Sequence, residues 1–306
     1  MAVSTRTDLH LARRRTTNFV MLGFCVLASI VALVMLGLVL YFLASQGLKH
    51  ISPRLFTRLP NNIDIKQGGI AHSIFGTLTL LGIASLISLP LGILGGIYQV
   101  EARGRFAFAV RFLTDVLNGI PSIVIGIFVY AAYVYPLSQR NPGSGFSGYA
   151  GGLALGIMMI PLVMRTTEEI LRLVPFSLRE ASLGLGATRW RTMWSIVLPV
   201  ARGGVITGIM LALARVAGET APLLFTILGN EYFPTKQANV LGAKVTVPAM
   251  NTAIDALPLR IFNYAVGPNL EQHDIAWAAA LILIAMILIF SIAARYATRG
   301  GVLEEH

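Results

Sequence analysis

The chain has 306 residues, 55% of them hydrophobic and 12% charged, with a formal net charge of +10 and a mean hydropathy of +0.72. Soluble domains carry about 25% charged residues, so an ordinary soluble globule is excluded and a bilayer protein is indicated. The positive balance is no nucleic-acid footprint, because the charges fill the gaps between apolar runs instead of sharing one face with aromatics.

A bilayer-crossing helix needs about 20 apolar residues. In chain order six windows qualify or nearly qualify: 19–45, 72–100, 112–135, 149–171, 203–228 and 275–294. Hydrocarbon offers no hydrogen-bond partners, so each is expected to be helical. The first follows Arg13, Arg14 and Arg15, as a signal peptide would, but the run from Phe19 to Ala44 far exceeds a signal core of about 7–15 residues. It reads as an uncleaved helix. Its Cys25 is the single cysteine of the chain, which leaves no intrachain disulfide or cysteine-based metal site.

The second window carries Pro90, Gly92, Gly95 and Gly96, and the third Gly119, Pro121 and Gly126. Small residues allow close helix contact and prolines allow kinks, so these windows read either as tight bundle packing or as kinked helices lining a path. Asn141-Pro142-Gly143-Ser144-Gly145 is a turn signal that makes the third and fourth windows an antiparallel hairpin. The fourth runs from Tyr149 through Pro161 toward Arg165, with Glu168 and Glu169 reading as a solvated helix end.

With the N-terminus inside, segments 1–18, 101–111, 165–202 and 295–306 hold 15 of the 24 Lys and Arg, and 46–71, 136–148 and 229–272 hold eight. The positive-inside bias supports that orientation, with both termini cytoplasmic. The expected organisation is a cytoplasmic tail at 1–18, a first helix and outer loop at 19–71, a core at 72–294 and a cytoplasmic tail at 295–306.

Between the fourth and fifth windows, Val174-Pro175 marks a break and Ser177-x-x-Glu180 reads as a capping box. Gly186 favours a sharp turn, and Trp190, Met193, Trp194 and Val197 sit at helical spacing before Pro199, which is expected to end that helix. Two short angled helices on the inner face follow, over 177–199. Within the fifth window, Arg215 and Glu219 lie about 18 and 24 Å deep if the helix enters near Gly203, at 1.5 Å per residue. Charges there are costly in lipid. At i and i+4 they share a face, and either neutralise each other or line a path that Arg165 also reaches. A guanidinium holds tetrahedral oxyanions bidentately. A neighbouring carboxylate accepts a hydrogen bond from the proton that phosphate carries near pH 7 but repels unprotonated sulfate. The 229–272 gap yields no chemistry. His72 and His273 sit at span edges, where solvation is expected, and no His, Ser or Cys stands in a catalytic arrangement.

The stretch EASLGLGATRWRTMWSIVLP resembles the EAA coupling loop of binding-protein-dependent ABC importer permeases, matching at Glu180, Ala181, Gly186, Ile196, Leu198 and Pro199 and departing at Ser182, where Ala is usual. With IPLVMRTTEEILRLVP and ARVAGETAPLLF, the chain from about residue 70 onward is similar to the phosphate-specific, PstA-type branch. That resemblance implies an all-α integral membrane protein with six transmembrane helices, the type I importer (MetI-like) fold and cytoplasmic coupling helices. It implies a non-catalytic subunit in a prokaryotic inner membrane. Its partners would be a second, PstC-like permease, two PstB-like ATPases that dock the loop, a PstS-like phosphate-binding protein and membrane lipids, with no nucleic acid. The sequence has no G-x-x-x-x-G-K-[ST] loop, so no cofactor is expected here, and ATP with Mg belongs on the ATPase. Arg215, Glu219 and Arg165 would line the phosphate path. A permease for sulfate or another oxyanion, an ion-coupled carrier and a membrane receptor are the alternatives.

Overall fold

The computed structural model describes residues 2–61, 64–141, 144–233, 235–240 and 243–299. Among them six helical segments are long and apolar enough to cross a membrane: Arg14–His50, Ala71–Glu101, Ser122–Arg140, Gly148–Leu173, Arg189–Ala217 and Leu270–Tyr296.

Helix α1 (Ala2–His50) absorbs the expected N-terminal tail, and its side chains from 14 to 42 are exposed. Among its described side chains, only those of the last turns pack. Leu43 is buried, Phe42 meets Trp277 edge-on at 5.3 Å, and Gly47 abuts the Trp277 backbone. Short α2 (Pro53–Thr57) and a 3-10 turn at Ile65–Gln67 lead to α3 (Ala71–Glu101).

The expected window 112–135 is divided. Amphipathic α4 (Arg105–Gly119) ends at Ile120-Pro121, and the span proper runs as α5 (Ser122–Val129), a π-helical turn at Tyr130–Val134 and α6 (Tyr135–Arg140). Of the turn predicted at 141–145, Pro142 and Gly143 lie outside the described residues. Helix α7 (Gly148–Leu173) opens with the Ser147 hydroxyl accepting from the Ala150 amide.

Helices α3 and α7 form the main packing seam, where Leu80, Ala84, Leu155, Met159 and Val163 are buried. A β-carbon at Gly92 or Gly96 would come within 2.7 Å of Val163 or Thr167, so glycine there lets the two helices approach closely. Pro90 and Pro161 are carried within the two helices.

After the loop come α8 (Phe176–Gly184), α9 (Arg189–Thr192), a second π-helical turn at Met193–Val197, α10 (Leu198–Ala217) and α11 (Ala221–Thr226). The fifth span is therefore 189–217, earlier than the expected 203–228. Pro199 does not end a helix. Both π-helical turns finish one residue before an X-Pro bond, at Tyr135-Pro136 and Leu198-Pro199. Proline cannot donate, and its ring clashes with the carbonyl four residues back; a wide turn lets the helix pass.

The outer segment departs from the all-α expectation. Strands β1 (Thr235–Val240) and β2 (Ala243–Pro248) pair antiparallel, Thr235 opposite Pro248 and Val240 opposite Ala243. Thr and Val are frequent enough there to favour extended backbone over helix. Helices α12 (Leu257–Ala265) and α13 (Leu270–Arg299) close the fold.

That segment is riveted to α3 by buried charge. Asp255 Oδ2 accepts from Ser73 Oγ and from Arg260 Nε at 2.8 Å, and lies 3.0 Å from His72 Nε2. Arg260 also reaches Glu231 at 3.6 Å and stacks 5.1 Å over the Tyr264 ring, while Thr77 Oγ1 accepts from the Leu257 amide at 2.8 Å. His72 is 1% exposed, so the expectation of a solvated histidine fails; His273 is half-buried against the Gly267 carbonyl. Burial alone would raise the Asp255 carboxyl, but the His72 hydrogen bond and the Arg260 charge hold it below the ordinary carboxylate range. Its stabilising contribution is therefore complete at neutral pH and is lost only as pH falls through that depressed value. Asp255→Ala strands Arg260 in the interior. It is expected to cost about 3–5 kcal/mol, read as a lower melting temperature in detergent. An unchanged melting temperature rejects the rivet.

Candidate functional site

Helix α8 starts after Pro175, with no side-chain cap, so the Ser177–Glu180 capping box does not form; Ser177 lies inside the first turn. Leu185 and Gly186 make the turn, with Gly186 at φ +82, a left-handed conformation that favours glycine. Thr188 caps the second helix by accepting from the Arg191 amide at 3.3 Å. Ser182, the position departing from the family pattern, bonds Thr192 across the elbow at 2.9 Å. The angled pair of helices predicted from the sequence is present, but its second helix continues into the fifth span.

The apolar side chains of this elbow are largely uncovered among the described residues. No residue of α8 is buried, and Phe176, Leu185 and Trp190 are 68%, 90% and 66% exposed. Glu180, Ala181, Gly186 and Pro199 are exposed, with Ile196 and Leu198 half-buried. Apolar side chains at that exposure, beside arginines, suit a protein partner.

Helix α10 presents a second open face. Thr207, Leu211 and Arg215 are exposed at four-residue spacing. The helix ends at Ala217, so half-buried Glu219 falls in the break before α11 and the expected shared helical face is lost. No ion pair joins Arg215 to Glu219, and among the described residues Arg215 has no carboxylate partner. Mutual neutralisation is thus not what holds them.

Arg165 is differently placed. It bonds Glu169 at 2.8 Å and lies 3.6 Å from Asp115 and 3.8 Å from Glu168. Glu168, read from the sequence as solvated, is only 2% exposed and also holds Arg172 at 2.7 Å and Arg111 at 3.0 Å. Three arginines face three carboxylates, and the cluster balances. Gly208 of α10 abuts Thr166, so Arg165 lies near that level and about 10 Å along the helix from Arg215, at 1.5 Å per residue. Sequence reading missed Arg111, Asp115 and Glu168 because the contacts are tertiary; the signal available was a carboxylate four residues from an arginine at both 165/169 and 168/172.

Residues 88–300 match the model of the family described as binding-protein-dependent transport system inner membrane component. The chain belongs to that family. This family member is 37% identical over 298 residues to the phosphate transport system permease protein PstA of Haemophilus influenzae, covering 96% of this chain and 98% of the relative. It is 38% identical over 286 residues to the PstA of Yersinia pestis, covering 93% and 90%. Among solved structures, a bacterial alginate ABC transporter aligns at TM-score 0.62 with 17% identity over 93% of this chain and 95% of that one. An inward-facing MetNI methionine ABC transporter aligns at 0.54 with 18% identity over 77% and 95%. Those likenesses establish the fold of type I importer permeases, with six helices among the described residues long and apolar enough to cross a membrane. The binding-protein-dependent permease family places the chain in a membrane as a multi-pass component.

Proposed function

We propose that this chain is the transmembrane permease subunit of an ATP-driven phosphate importer. The observation that carries the reading is the near full-length similarity to permeases named for phosphate transport. An arginine on an open helix face, with no carboxylate partner among the described residues, supports it chemically. The guanidinium of Arg215 offers two parallel donors to a tetrahedral oxyanion. Glu219, free of Arg215, accepts a hydrogen bond from the protonated oxygen that phosphate still carries near neutral pH, and it disfavours unprotonated sulfate. Arg165, already balanced by Glu169, Asp115 and Glu168, is a second station on the inner side, where an anion must compete with carboxylates before it leaves.

The elbow, with Glu180, Ala181, Gly186, Ile196, Leu198 and Pro199, docks on a separate ATPase that holds ATP and Mg. A PstC-like permease supplies the other half of the path, two PstB-like subunits the motor and a PstS-like protein the solute. The excess of Lys and Arg in the loops read as inner supports cytoplasmic termini.

The test is reconstitution of the chain with those partners in vesicles. Phosphate uptake is expected, dependent on ATP and on the binding protein, with sulfate excluded. Sulfate uptake in preference to phosphate, or uptake without an ATPase, overturns the proposal.

A further inference from the structure

Helix α8 has no buried residue, so packing grips it only lightly, and beyond the Ser182–Thr192 bond polar contacts are its firmest links to the bilayer helices. Arg179 supplies another connection. Its Nη1 bonds Glu101 Oε1, at the end of α3, at 2.7 Å, and its Nη2 donates to the Leu171 carbonyl, in the last turn of α7, at 3.0 Å. The Arg179 side chain is 14% exposed and the Glu101 side chain 33%. The last carbonyls of a helix lack intrahelical partners and carry negative dipole charge, so the guanidinium both caps α7 and neutralises the end of α3. One side chain thereby joins the elbow to the two helices of the main packing seam. Beside it lies a cleft of about 370 Å³ lined by Glu101, Arg103, Phe176, Arg179, Leu183 and Arg189, which leaves the elbow room to swing about this tether.

We propose that Arg179 is a positioning residue that transmits movement of the elbow to α3 and α7 through Glu101 and the Leu171 carbonyl; this rests on the permease reading above. The guanidinium is suited to it because a planar fork holds two acceptors on different helices at once. Lysine would keep the charge and one bond only.

The experiment measures ATP hydrolysed per phosphate carried by the reconstituted complex, together with retention of the ATPase on purification. Arg179→Ala is expected to keep the ATPase bound and to raise ATP consumed per phosphate about tenfold, from the loss of two charge-assisted bonds. Arg179→Lys should fall between Arg179→Ala and the wild type. Arg179→Glu and Glu101→Arg should each be impaired, and the double exchange should recover part of the coupling, since it restores the ion pair but a carboxylate at 179 cannot donate to the Leu171 carbonyl. An unchanged ratio in Arg179→Ala, loss of the ATPase from that variant, or a double exchange no better than its parents overturns the relay. If the wild-type complex carries another solute, the phosphate reading fails, while the same ratio measured for that solute still decides the relay.

Discussion

Arg215→Gln is expected to lower phosphate uptake about 10- to 100-fold while the permease still inserts, assembles and supports ATP hydrolysis. Glutamine keeps polarity and much of the length but removes the charge. Hydrogen bonds to charged groups are worth about 1.5–3 kcal/mol, and each 1.36 kcal/mol is tenfold in rate. Because Arg215 is exposed and has no carboxylate partner among the described residues, its loss leaves no stranded countercharge. The variant's melting temperature is expected to stay close to that of the wild type. Arg215→Lys should retain part of the activity, as a point charge replaces the planar fork. Uptake undiminished in Arg215→Gln would make the residue a packing element and remove it from the path.

Gly186→Val is expected to abolish ATPase coupling with the permease still in the membrane. A β-carbon at this position meets nothing within 4 Å, so the chain itself has space for a side chain. Two costs remain. The left-handed backbone disfavours β-branched residues, by about 1–2 kcal/mol, and any added bulk projects from the exposed elbow into the docking partner. Gly186→Asn separates them, since asparagine tolerates that conformation better. If Asn and Val both lose the ATPase on purification, bulk is decisive; if Asn retains it, the backbone is. Phosphate uptake unaffected by both rejects the docking role of the elbow.

The six-helix plan was legible because apolar length in a low-charge chain admits few other structures. The elbow was legible because Gly186 and the spacing to Ile196, Leu198 and Pro199 are local. Boundaries were less so. Pro199 reads locally as a stop, yet the wide turn at Met193–Val197 carries the helix past it, which moves the fifth span earlier and leaves Glu219 beyond the end of α10. The role of Glu168 was hidden because its burial depends on Arg111 from α4, 57 positions away. The Asp255 rivet was hidden for the same reason: its partners His72 and Ser73 lie some 180 positions earlier. The antiparallel strands at 235–240 and 243–248 fell in a gap where no strong apolar alternation was visible.

The π-helical turn at Met193–Val197 places an extra residue between elbow and membrane helix. Each residue turns an α-helix by about 100°, so this insertion fixes the angular phase of Trp190 relative to Arg215. Were the same residues to tighten into ordinary α-helix, every side chain would stay intact, yet the motor end would rotate by about 100° against the solute end. Two sound halves would then be geared out of step.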